Sequence, residues 1–250
     1  MKLRFAYLVL LFLSLSSFSL YAQDDDGDDA EDDNDDVSGT HNKSDGEKHY
    51  YVFSARANVT VPHPIGNSAF RKSFVGVYEA EVGFNVMLYK GLFIGGTVKN
   101  GELKITGNKI AGYNAIMEVD NAAGKIGGDL YIGDRNRVIF SAAISVGNNW
   151  THYYNMVRKD PKDNNNRISI PLENSRFTTF FYEPEVNLFF LVDDNFGVGA
   201  TLTYSVYTHT FDPYELSLNQ WAAFDANPSG NTSYLSFGFG FYYNFLHKKK

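Results

Sequence analysis

The chain has 250 residues, no cysteine and a formal charge of −7. Residues 24–36 (DDDGDDAEDDNDD) hold ten acids, and from residue 37 onward 19 acids face 20 bases, so the rest is near neutral and no basic patch points to nucleic acid. The length suits one large β domain or two small ones, and without disulfides the fold must be held by its own hydrogen-bonded framework.

Residues 1–22 (MKLRFAYLVLLFLSLSSFSLYA) open on Lys2 and Arg4, continue through an apolar stretch from Phe5 to Leu15, and close on Ala22 before Gln23. That order predicts a secretory signal peptide rather than a retained membrane helix. With no Cys near the junction, a bacterial lipoprotein anchor is excluded. Residues 23–49 read as an acidic disordered linker, because dense like charge repels itself. Its plainest role is a solvated spacer. Loose Ca²⁺ capture is the sharper alternative, although the regular D-x-[DN]-x-[DN]-G-x₅-E spacing is missing.

From Tyr50 the sequence alternates with a period of two, the signature of strands with two unlike faces. The first predicted strand, 50–61, sets Phe53, Ala55, Ala57 and Val59 against Ser54, Arg56 and Asn58, and a Pro- and Gly-containing loop with His63 follows. The second, 74–89, sets Tyr78, Ala80, Val82, Phe84, Val86 and Leu88 against Glu79, Glu81, Gly83 and Asn85. Lys90-Gly91 forms a tight turn into the third, 92–104, with Leu92, Ile94 and Val98 opposite Thr97 and Lys99. Residues 107–123 stay ambiguous, and the fourth strand is clear over 124–133, with Ile126, Leu130 and Ile132 opposite Asp129. After the Asp134-Arg135-Asn136 turn, the fifth covers 137–153, and a long polar loop covers 155–175. The sixth, 177–192, sets Phe180, Tyr182, Val186, Leu188 and Phe190 against Thr179, Glu183, Glu185 and Asn187. Its Pro184 is a weak point, since proline donates no ladder hydrogen bond. The seventh, 196–211, follows Asp193-Asp194-Asn195, and the eighth reads LSFGFGFYYNF over 235–245.

Eight strands joined by connections that run long, short, long, short, long, short, long predict an all-β, eight-stranded antiparallel up-and-down barrel over residues 50–246, with a basic tail at 247–250. The sign of the alternation separates a soluble from a transmembrane barrel. One row is bulky and nearly free of charge for about ten residues per strand, the length of a tilted membrane strand. The other is rich in Gly, Ser and Thr, which fit the crowded interior of an eight-stranded barrel. The aromatics Phe53, Phe190, Phe196, Tyr243 and Phe245 gather at one end of the strands, and Tyr78, Trp150, Tyr182 and Tyr204 at the other, like two interfacial girdles.

The leader, the eight alternating strands and the aromatic last strand resemble the small bacterial outer-membrane barrels of OmpA/OmpX type over residues 50–246. The resemblance implies integral insertion in the outer membrane of a Gram-negative envelope, with outer-membrane lipids, the barrel assembly machinery and periplasmic chaperones as partners and no nucleic acid. It also implies that Phe241, Tyr243 and Phe245 carry the assembly signal, although residues 246–250 run past the usual aromatic end. The Ala-Gln junction and polar tract are similar in composition to exported proteins of the Bacteroidota.

Arg56, Glu79, Glu81, Lys99, Asp129, Glu183 and Glu185 are predicted to point inward as a charge network, with Arg56 and Lys99 bridging Glu79 and Glu81. Buried charge demands pairing, so the network reads first as a plug. A porin-like path for ions or small hydrophobic solutes is the alternative. Glu183-x-Glu185 places two carboxylates on one face about 7 Å apart, a spacing usable in acid–base chemistry. The histidines available, His152 and His209, sit at strand ends without a nucleophile or metal spacing. The expectation is a non-enzymatic barrel with a structural or surface-interaction role and no cofactor or metal; a lipid-modifying enzyme is the third reading.

Overall fold

The computed structural model describes residues 52–105, 113–133, 137–159, 169–171, 175–216, 218 and 230–245. The expected signal peptide, acidic disordered linker and basic tail lie outside them. The strands are β1 (Phe53–Pro64), β2 (Val75–Tyr89), β3 (Leu92–Ile105), β4 (Tyr113–Ile132), β5 (Val138–Lys159), β6 (Ser169–Pro171), β7 (Ser175–Leu191), β8 (Phe196–Tyr207) and β9 (Ser233–Phe245). A short helix, α1 (Ser68–Ser73), follows β1, and a 3₁₀ turn (Pro213–Leu216) follows β8.

Eight of these strands close a ring. Each pairs antiparallel with its neighbours in the order β1, β2, β3, β4, β5, β7, β8, β9, and β9 returns to β1. The short β6 pairs only with the end of β5, beyond the ring. The eight-stranded up-and-down barrel expected from the alternation is therefore present, with no free edge in the ring.

The short connections form as their residues dictate. Lys90 and Gly91 have φ of 39° and 97°, the positive values a two-residue type I′ hairpin needs at both central positions. Between β7 and β8 the Asp193 carboxylate accepts from the N–H of Asn195 (2.8 Å) and Phe196 (2.6 Å).

Several boundaries differ from the sequence reading. Part of the ambiguous 107–123 stretch is strand: β4 begins at Tyr113 and β5 reaches Lys159, so this hairpin extends well past the others on the loop side. β8 stops at Tyr207 rather than 211, and beyond it Phe211, Leu216 and Leu218 turn into the loop-end core as a plug. The residues after β1 are not only loop, since they form α1. Asn67 caps it by accepting from the Phe70 N–H (3.1 Å) and ties it to the last loop by donating to Phe211 O (3.0 Å). His63, expected in a loop, is the exposed penultimate residue of β1.

Pro184 sits inside β7. It stays in register with Ile144 of β5, whereas the β7–β8 ladder skips Glu183 and Pro184 between the pairs Tyr182↔Val206 and Glu185↔Thr203. Val206 has outward parity but is only 3% exposed.

Polarity is inverted relative to a water-soluble barrel. Phe239 is 73% exposed and Phe237 62%, while Arg56, at 1%, is among the largest fully buried side chains. Glycines line the inner face of β9 because there is no room for more: a Cβ on Gly240 would lie 2.5 Å from the Asn58 Oδ1 and 2.8 Å from the Phe189 ring.

Candidate functional site in the barrel lumen

The lumen is stacked in three layers. At the short-turn end Tyr131, Ile139, Phe189 and Tyr242 form an apolar floor, with Met87 and Leu191 packed against it. At the loop end a second core closes the barrel. It joins Ala69, Phe70 and Phe74 from α1 and its flank with Leu103, Met117, Val119, Phe211 and Leu216. Charged groups fill the space between.

All seven predicted network residues point inward and are buried, but their pairing differs from the expectation. Arg56 does not bridge Glu79 and Glu81. Its register partner on β2 is Gly83, which offers no side chain to bond, so the guanidinium crosses the lumen. It donates from Nη2 to both Asp129 oxygens (2.6 and 2.8 Å) and from Nη1 to Ser141 (2.7 Å), with Glu185 3.7 Å away. It also lies over the rings of Phe93 (4.7 Å), Tyr242 (5.3 Å) and Phe189 (5.8 Å), anchoring the charged layer on the floor.

Lys99 does reach Glu79, at 3.6 Å, but its short bond is to Glu183 across the lumen. Glu79 is further held by Tyr234 (2.7 Å), Thr60 (3.2 Å) and Ser236. Glu81 is taken by a residue the sequence reading missed. Lys125 donates to Glu81 (2.8 Å) and Glu185 (2.7 Å), and it is 4% exposed. The signal was available: Lys125 shares the parity of Asp129, four residues on along the same strand. Glu183 also accepts from Ser205, and Asn187 donates to Glu185 (3.2 Å).

The carboxylates Glu183 and Glu185, considered as an acid–base pair, are thus bonded to lysines and sealed between floor and roof. His152 lies near the loop-end rim, its ring tilted against Tyr154 (5.3 Å), and His209 is tilted against Phe177 (4.3 Å). The lumen does not bring either histidine to the glutamates.

The nine predicted girdle aromatics all lie on the outward face. Tyr78, Trp150, Tyr182 and Tyr204 occur near the loop ends, and Phe190 and Phe245 near the turn ends, all exposed; Phe53, Phe196 and Tyr243 are half-buried there. The turn-end rings touch one another: Phe53 is 5.0 Å from Phe245 and 5.8 Å from Phe84, and Tyr243 is 4.9 Å from Phe245. Among the described residues, no Asp, Glu, Lys or Arg lies on the outward face between these two rings.

At the upper ring and beyond it, β3 and β4 carry outward acids. Glu102 and Glu118 are directly opposed in register, with Asp120 next on the same face. Lys104 pairs with Glu102 (2.8 Å), and Asn100 donates to Asp120 (2.7 Å) and Glu118 (3.3 Å). Burial and then the Asp120 charge raise the Glu118 pKa, while burial and then Arg176 lower that of His152. Because the folded pKa of Glu118 is raised, the barrel gains stability as pH falls through it and loses that gain as pH rises. Glu118→Gln is therefore expected to raise the urea midpoint at neutral pH by the equivalent of about 0.5 kcal/mol, the scale of a cross-strand like-charge pair. The gain should vanish in acid, where the wild-type carboxyl is already protonated.

No family model matches the chain, and no curated protein matches it. Among solved structures it is similar to Neisserial surface protein A, with a TM-score of 0.48 and 10% identity over 77% of this chain and 97% of that one. It is similar to a major outer membrane protein of Thermus thermophilus, with a TM-score of 0.48 and 14% identity over 77% and 98%. A third is the outer membrane protein OprG of Pseudomonas aeruginosa, with a TM-score of 0.41 and 11% identity over 80% and 98%.

Proposed function

We propose that the chain is an integral bacterial outer-membrane β-barrel that serves as a non-enzymatic, non-conducting scaffold and presents its loop end to the surroundings. The observation that carries this is the inverted polarity: an outward belt without ionised side chains encloses a buried layer of charge. A barrel with water outside would reverse that order. The belt has the right height. Tyr182 to Phe190 spans eight residue steps, about 27 Å along a strand at ~3.4 Å per residue and about 20 Å once tilted by ~40°, which the two aromatic rings extend to the ~25 Å expected of a barrel band. The nine outward aromatics are its interfacial anchors, and Phe241, Tyr243 and Phe245 serve as the signal read by the assembly machinery.

Residues 1–22 act as the cleaved leader and 23–49 as a spacer leading into β1. Periplasmic chaperones carry the unfolded chain to the membrane, whose lipids then solvate the belt. The connections bearing α1 and the 3₁₀ turn face outside the cell, and the short turns face the periplasm.

A scaffold is favoured over a channel because apolar layers close the charged lumen at both ends. Purified and refolded into a planar bilayer, the protein is expected to show no stepwise conductance. It should also fractionate with the outer membrane and change gel mobility on heating. Reproducible single-channel steps would refute the closed lumen, and a detergent-free soluble pool would refute the membrane assignment.

A further inference from the structure

We propose that the charged layer of the lumen holds one divalent cation of Ca²⁺ type, bound by Glu81, Glu183 and Glu185. This depends on the lumen alone and not on what the loops meet. The first observation is a charge imbalance. Among the described residues, five inward-facing buried carboxylates (Glu79, Glu81, Asp129, Glu183 and Glu185) face three inward-facing buried bases (Arg56, Lys99 and Lys125), a surplus of two negative charges. Buried charge left without compensation is strongly unfavourable, so the surplus draws in positive charge.

The second observation is geometric. One oxygen from each of Glu81, Glu183 and Glu185 lies within 4.8 Å of the other two. Ligands on opposite sides of a Ca²⁺ with bonds of ~2.4 Å are separated by about that distance. Both side-chain hydrogen bonds into Glu81 fall on its Oε1, from Lys125 and Thr97.

The third observation is independent of the acids. Ser145 is fully buried and its Oγ has no hydrogen-bond partner; the same holds for the Oγ1 of Thr203 and for Glu183 Oε1. Ser145 is in register with Glu183, and Thr203 with Glu185, so both hydroxyls stand beside the cluster on its own face. Buried hydroxyls seldom lack a partner. A hard cation accepts hydroxyl and carboxylate oxygen alike, which provides five ligands from four strands. The sequence shows no ligand spacing because these residues converge only through barrel closure.

The full mature chain, refolded with Ca²⁺ and passed through a desalting column, is expected to retain about one ion per chain by elemental analysis, as a site of this kind demands. Glu183→Gln should abolish retention. Should that variant fail to fold, Ser145→Ala keeps every charge and tests the same site: it should release the ion to chelator several times faster than wild type. Equal retention by wild type and both variants would place the ion outside the lumen, at the acidic tract for example, and overturn the proposal. A folded wild type holding no ion would overturn it too; the surplus would then be carried by protons, visible as a carboxylic-acid carbonyl band in the infrared that Glu183→Gln removes.

Discussion

Arg56→Met is expected to destabilise the folded barrel by about 3–5 kcal/mol, because it removes the bidentate cation from the buried Asp129 carboxylate. The bidentate pair at 2.6 and 2.8 Å lies within the charged layer. The three rings around the guanidinium add about 0.5–2 kcal/mol each at most, so the stranded carboxylate dominates. The double variant Arg56→Met with Asp129→Leu should recover most of the loss, since replacing both members of a buried pair is often near neutral. The check is the urea midpoint of the heat-dependent gel shift in lipid vesicles. A loss under about 1 kcal/mol for the single variant would mean that water solvates Asp129 and that the floor leaks.

The second large effect lies outside the wall. Phe239 is 73% exposed at mid-height on β9, between Val59 of β1 and Ala200 of β8. Phe239→Arg is expected to cost about 2–4 kcal/mol of folding free energy in a bilayer and to lower outer-membrane yield. In a water-exposed barrel the same change would be neutral or helpful, because it would remove an exposed ring. Lys90→Arg, on a turn, is the matched control and should be silent. An unchanged stability for Phe239→Arg in vesicles would remove the membrane reading altogether.

The wall is legible in the sequence wherever the two faces differ strongly. In β9 a bulky aromatic alternates with Gly or Ser, and the period of two cannot be mistaken. The same rule fails for residues 113–123, where Tyr113, Ala115, Met117 and Val119 point inward into an apolar core. There the inner row is apolar while Asn114, Glu118 and Asp120 take the outer row, so the sign of the contrast reverses. β8 is overextended for a related reason: Tyr207 and Phe211 share the inward parity, but Phe211 packs in the loop-end core beyond the last strand residue. Which residues face inward is readable; who bonds whom is not. Strand parity puts Arg56, Glu79 and Glu81 on adjacent strands, yet Arg56 finds Asp129 across the lumen. Register, side-chain length and the glycine opposite Arg56 decide that, and none of them is a property of one strand.

The seam between β1 and β9 sets the order of events in time. Twelve register pairs, from Phe53↔Phe245 to Pro64↔Tyr234, join the two ends of the barrel. The pairs of greatest sequence separation are therefore those that join the first strand of the ring to the last. Closing so long a loop is entropically costly and slow. Until β9 arrives, β1 offers an open edge, and Arg56, Lys99 and Lys125 remain within reach of water. Whatever fills the lumen is enclosed once the seam zips.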